Sequence, residues 1–441
     1  MVHTRRHVSQ KMEKLNILVL HSLGDPALAP RSVHKHVFSL EANFPEHNYL
    51  YHDSALGIPD YVKQTRFDAI LLDVSFLWPR WFGEERFRRH LSEYAFVAES
   101  DAVKLAFPQD DYDCHQLLDD WMCDWRVDIV FSVISSGWNV LYPRYHLTGD
   151  IRLGYTGYVD ETLLNWVPKG LGERPIDIGY RARKLPPYFG RLGENKWTIG
   201  RDVAARARDA GLRVDIELGD GGALLGDAWL NFIGDSKFTL GANSGSSLLD
   251  PTGSIQRSVR SYLASHPGAP FEEVERSCFP GLDGKYSFTA ISPRVLEAAL
   301  LGSAQILVDG EYSGIVKPGE HFIPMRPDAS NFPDVLDAMA DRPLVERMIH
   351  RCREAVLSVD ALRYRNRARM ILEVVGEMTA HKKPASNGEY VRQVIARYAS
   401  EMQPGYQSCW RRQNYRTRLV RALAPYPRLH QMLRSVKQHL G

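Results

Sequence analysis

In KYSFTAISPRVLEAALLGSAQILVDGEYSGIVKPGEHFIPM, residues 285–325, a helix runs straight into a buried strand. SPRVLEAALLG opens on Pro293 and closes on Gly302, the asymmetry that favours a helix start and stop at those points. AQILVDG (304–310) follows as a short apolar run and reads as a strand. Glu297 lies in the first turn or so of the helix. A carboxylate there can accept hydrogen bonds from two vicinal hydroxyls, as on a ribose, while backbone N–H groups at the same helix start can face phosphate oxygens. Arg294 adds a cation beside them. Spacing alone leaves open that Glu297 merely complements the helix dipole.

The alternation extends in both directions. LNILVL (15–20), FDAILLDVSF (67–76), AVKLAF (102–107) and VDIVFSVI (127–134) are continuous apolar runs, as expected of strands covered on both faces of a parallel sheet. CHQLLDDWMCDW (114–125) places apolar residues at helical spacing between the last two. After the Gly/Pro-containing stretch VPKGLGERP (167–175), a second series follows: PIDIGYRA, a helix ended by Gly211, LRVDIEL, the helix DAWLNFIGDS and the strand KFTLGAN. From 331 onward the pattern is mainly helical. Strand–helix order of this kind predicts an α/β chain of two Rossmann-like domains facing a cleft, with a helical, basic C-terminal extension. The expected parts are 15–165, 175–345, helices over 346–400 and a basic amphipathic tail over 401–441.

Composition narrows the function. Of the 441 residues, 55 are Lys or Arg and 53 Asp or Glu, so the near-balance argues against a nucleic-acid partner. The five cysteines are scattered without zinc-ribbon spacing, so neither structural metal nor a disulfide framework is expected, and a cytoplasmic setting is. No segment approaches the roughly 20 apolar residues of a membrane span.

LEAALLG followed by a strand resembles the nucleotide-binding signature of GT-B glycosyltransferases, in which a Glu at the position of Glu297 holds the donor ribose. The following GEY and EHFIPM resemble a group-1-like branch found among surface-polysaccharide transferases. The resemblance covers roughly 175–345. It implies sugar transfer from a nucleotide-sugar, a substrate rather than a cofactor, to a growing surface glycan or lipid-linked acceptor. Retaining members often carry a second Glu eight positions earlier, where this chain has Thr289. The resemblance also implies cations for the donor pyrophosphate after the first strand and at the next helix of the C-terminal half. Arg181 and Lys196 fit, with Arg183 less well placed, and ordinary surface basic residues are the plainer reading. Such cations do the work of a metal, so metal independence is expected. Gly241 to Ser247 follows the strand KFTL, and Asn243, Ser244 and Gly245 are donor-site candidates, against a tight turn.

The N-terminal half should bring the acceptor and the base. Asp110 and Asp111 follow a buried strand and could deprotonate a hydroxyl or stabilise charge at the anomeric carbon. Asp111 or Asp113 could equally cap the helix near Cys114. His21, after the first strand, is a further base candidate, and His321 reads as structural. Asp111-Tyr112-Asp113 also fits the letters of a metal-binding DxD, but a single GT-A domain has no place for the second α/β series. An epimerase of the same architecture and a catalytically degenerate scaffold remain alternative readings.

After Glu401 the chain has eight Lys or Arg residues and no Asp or Glu, interleaved with Tyr406, Trp410, Tyr415 and several leucines. That composition predicts peripheral association of 405–441 with an anionic surface at the inner face of the membrane. A terminal helix packed back on the N-terminal domain is the alternative.

Overall fold

Runs of Val, Ile and Leu form strands hidden on both faces. In a computed structural model, which describes residues 14–219 and 224–423, β1 (Asn16–His21) is buried at all six positions. It sits inside a parallel sheet with β2 (Asn48–Asp53), β3 (Ala69–Leu72), β4 (Val103–Ala106), β5 (Ile129–Ser132) and β6 (Asp150–Leu153). The order is β2-β1-β3-β4-β5-β6, with Ile17 opposite Tyr49 on one side and Ala69 on the other. A second parallel sheet contains β7 (Ile176–Arg181), β8 (Val214–Glu217), β9 (Ser236–Gly241), β12 (Ala304–Val308) and β13 (Ile323–Met325), in the order β13-β12-β9-β7-β8. The chain is therefore α/β, with two Rossmann-like halves and a helical C-terminal extension.

The C-terminal helices do not form a body of their own. Helix Arg342–Ser358 buries Val345, Met348, Cys352 and Val356 against the second half. Helix Tyr364–Thr379 lays Ala368, Ile371, Leu372 and Val375 on the first sheet instead. The return crossing runs beside the outward one: Val159 N–H donates to Leu362 O at 2.7 Å, and Val159 and Arg363 form a parallel bridge.

A third link was not legible in the sequence. GANSGSS and KYSFTA provide β10 (Ser244–Ser246) and β11 (Phe288–Ala290), a two-stranded antiparallel sheet outside both main sheets. Phe288 and Ala290 join the hydrophobic core of the N-terminal half. Between these strands, Asp250 N–H donates to Tyr112 O at 3.0 Å, and His115 N–H donates to Asp250 O at 3.4 Å. Gly245 is required there by its φ of +134°, and a Cβ would sit 1.8 Å from Phe288 O.

Helix Gly388–Leu423 returns to the first half, with Val391, Val394, Tyr398 and Tyr406 in its core. Tyr406 donates to Asp53 O at 2.9 Å and stacks on Trp410. The described start of the basic tail thus packs on the N-terminal domain. Residues 424–441, which carry the rest of that expectation, lie outside the described residues. No helix among the described residues is long and apolar enough to cross a membrane.

Candidate functional site

The carboxyl ends of β7 and β8 open into a cleft of about 330 Å³. Arg181 ends β7 and Ala182 and Arg183 follow it, Glu217 and Gly219 end and follow β8, and Ser292 precedes Pro293 and Arg294 at the start of helix Pro293–Leu300. Pro30 to Ser32, from the loop and helix start after β1, close it from the N-terminal half. The helix begins where expected, with Pro293 at its first position, and Gly302 follows its end at φ +67°. Ser292, the residue before the helix, makes no side-chain cap bond, although its carbonyl accepts from Val295 N–H at 3.0 Å.

Glu297 borders the cleft one residue beyond the first turn. Its Oε2 accepts from Trp229 Nε1 at 2.7 Å. Burial holds its pKa above the usual carboxylate range, opposed by that hydrogen bond and by Arg294. Arg294 in turn lies 5.2 Å over both the Tyr180 and Trp229 rings and donates to Arg181 O at 2.7 Å. Trp229 was missed as a site residue: DAWLNFIGDS reads correctly as a helix, but nothing in one sequence marks which of its residues meets Glu297. Arg31 was missed as well, because it comes from the other half of the chain. It is held by Asp160 at 2.5 Å and Thr162 at 2.8 Å.

Arg181 lines the cleft, but its guanidinium is engaged. It donates to Asp215 Oδ2 at 2.8 Å and lies 4.0 Å over Phe232. Arg183 is also at the cleft wall.

Lys196, expected at a helix start, lies inside helix Gly190–Asp209, which begins earlier at Gly190, and its Nζ reaches Ser244 Oγ at 3.4 Å. Burial lowers its pKa to about 8, with the Asp110 carboxylate acting to raise it and Arg294 to lower it. Asp110 of the first half and Lys196 of the second thus lie within each other's field, as does Arg294 of the cleft wall, while the hydrogen-bond partner of Lys196 Nζ among the described residues is Ser244. Asp110 itself accepts from Tyr112 OH at 2.6 Å and has φ of +51°, unusual for a side-chain-bearing residue. The loop is held from below by Arg80, which donates to Gln109 O at 2.5 Å.

Other candidates are placed differently. Asp111 is fully buried, and its Oδ2 accepts from Ser132 Oγ at 2.5 Å and Tyr142 OH at 2.7 Å. Burial pushes its pKa up to about 6 against those hydrogen bonds. It supports the loop from inside rather than lining the cleft. Neither Asp111 nor Asp113 caps the helix at His115: the cap position is Cys114, left-handed at φ 55° and without a side-chain cap bond. The expected capping role is therefore corrected. Asp111 and Asp113 both feel the charges of Asp110 and Arg80, but Asp111 bonds to Ser132 and Tyr142 whereas Asp113 feels Asp250 and Arg260.

His21 is buried beside Phe38 and Asp53, its Nδ1 accepting from Leu23 N–H at 3.2 Å, and it lines neither the cleft nor the Asp110 loop. Asn243 is buried and donates to Glu311 O at 2.6 Å. Gly245 is a strand residue paired with Thr289, so GANSGSS is not the open loop or tight turn its composition suggests. His321 is buried and accepts from Lys317 N–H at 2.9 Å.

No family model matches the chain, and no curated protein matches it. Solved structures do. A sucrose-phosphate synthase from Thermosynechococcus elongatus aligns over 83% of this chain and 100% of its own, at 11% identity and TM-score 0.48. The Anabaena HepE protein in complex with UDP and glucose aligns over 82% and 99%, at 10% identity and TM-score 0.48. An alpha-glucosyltransferase in complex with UDP and a DNA 13-mer aligns over 82% and 99%, at 11% identity and TM-score 0.47. At these identities and TM-scores, no residue role or substrate passes from those proteins to this chain.

Proposed function

We propose that the chain is a GT-B-type glycosyltransferase that moves a sugar from a nucleotide-sugar to a growing surface glycan or lipid-linked acceptor, without a metal. The observation that carries this reading is the convergence of Glu297, Arg294, a helix start without a side-chain cap and three further arginines in one cleft between the halves. Glu297 would take the ribose hydroxyls, and the helix start with Arg294 the pyrophosphate. Lys196 would stand beside the leaving diphosphate. The acceptor oxygen bonds to the anomeric carbon, while the bond from that carbon to the diphosphate oxygen breaks and its electron pair leaves with the nucleotide. Asp110 would take the hydroxyl proton.

Thermal shift with UDP, GDP and CMP tests donor binding, since a nucleotide that binds the folded state raises Tm by mass action. One of the three should stabilise wild type. Glu297→Ala should weaken its binding about tenfold or more in calorimetric titration, the loss expected of hydrogen bonds to a charged group. Transfer should survive excess EDTA. Absence of stabilisation by any nucleotide would overturn the reading, and binding without transfer would point to a degenerate scaffold.

A further inference from the structure

The two sheets share one strand order. Counted from its own first strand, each runs second, first, third, fourth, fifth: β2-β1-β3-β4-β5 and β8-β7-β9-β12-β13. Ligands of open parallel sheets lie outside the carboxyl ends of the strands, where the order reverses. In the C-terminal half, the residues after β7 and β8 form the cleft described above. In the N-terminal half, the reversal β2-β1-β3 carries a second cavity of about 590 Å³. Its walls include Ser22 after β1, Ser54 after β2, Ser75 and Trp78 after β3, and two carboxylates: Asp53, which accepts from Gly24 and Ala55 N–H at 2.8 Å each, and the exposed Glu93.

The lining has a particular chemistry. Phe82, at the end of the 3-10 helix Val74–Phe82, is 61% exposed, and Trp78 stands on the same element. Aromatic faces in a cavity wall suit the apolar C–H face of a sugar ring. The touching hydroxyls of Ser22 and Ser54 can donate and accept for ring hydroxyls. Arg86 lies 4.9 Å over the Phe82 ring. Its neighbours Arg88 and Arg89 are paired with Glu84 and Glu85, whereas no carboxylate among the described residues forms an ion pair with Arg86. A planar, permanently charged guanidinium in that position fits a carboxylate or phosphate on the ligand.

We propose that this cavity binds an anionic saccharide, with the ring stacked on Phe82 and Trp78 and the acid group on Arg86. Assigning that saccharide as the acceptor rests on the transferase reading; its binding does not. The loop and helix start after β1 touch both cavities, through Ser22 and Gly24 here and Pro30 to Ser32 at the donor cleft.

Saturation-transfer NMR on the full chain tests this with three probes: methyl β-D-glucuronide, glucose 6-phosphate and methyl β-D-glucoside. At least one acidic probe should bind about tenfold more tightly than the neutral glucoside, as expected of a charge-assisted contact. Whichever acid is preferred identifies carboxylate or phosphate as the group recognised. Arg86→Ala should abolish the preference, and Phe82→Ala should weaken all binding; both side chains are exposed, so neither change threatens the core. Glu297→Ala should leave saccharide binding intact. Wild-type binding in both Phe82→Ala and Arg86→Ala, or no transfer to any probe, overturns the proposal. Failure of the probes with nucleotide binding intact sinks this site alone; the converse sinks only the transferase reading.

Discussion

Lys196 is the residue whose environment says most about its work. An ammonium group lowered to about 8 by burial is charged at neutral pH and loses its proton over the next pH units. If it stabilises the leaving diphosphate, kcat/KM should fall as pH rises through about 8, because the protonated form is the active one. Lys196→Arg, which stays charged, should remove that limb, and Lys196→Ala should lower kcat by about 10²-fold, the scale of one lost electrostatic contact in a transition state. Asp110→Asn should cut kcat without lowering Tm. A flat pH profile in wild type, or full turnover in Asp110→Asn, would remove these roles. Both residues stood out in the sequence by position after a strand or at a helix start. What could not be read was that the charge of one acts on the other, since 85 residues separate them in the chain and they belong to different halves. Asp111 illustrates the opposite: one residue along the same loop, it turns inward to Ser132 and Tyr142.

Elements were read best where a long pattern fixed them. Helix Pro293–Leu300, helix Arg342–Ser358 and the buried strands of both sheets follow from apolar periodicity and terminal Pro or Gly. The strands missed were those whose letters resemble loops. NYLYHD became β2 because its neighbours bury it, and SGS became β10 because FTA pairs with it across more than 40 residues. Small residues there serve backbone proximity, which composition can register but not interpret. Gly245→Ala should therefore cost about 1–3 kcal/mol in chemical denaturation, through both its positive φ and the conflict with Phe288 O. Gly172→Ala, which meets nothing within 4 Å, should be near neutral. Equal stabilities in the two variants would show that β10 tolerates a Cβ.

At the scale of the molecule, the links between the halves include the two crossings at Val159 and Arg363 and the contact of Asp250 with the Asp110–Cys114 loop. Buried in the last is Asp113, whose pKa is pushed up to about 8 by burial and by Asp110 and Asp250, against Arg80 and Arg260. A carboxyl raised in the folded state favours folding below its unfolded pKa, and that contribution is lost as pH rises towards the folded value. Stability should thus decline between about pH 4 and pH 8 through this group. Asp113→Asn should flatten the decline and raise Tm by a few degrees at pH 8; an unchanged Tm–pH curve would exclude Asp113 as its source. The contact of Phe288 and Ala290 with the N-terminal core has a further consequence. The halves of this chain are not interchangeable cassettes. A hybrid that grafts 176–358 onto a foreign acceptor domain would carry an apolar plug with no socket. One that keeps only 14–153 would leave a socket open to solvent. Recombination at the linker should yield aggregates, unless the segment 244–290 and the face it fills travel together.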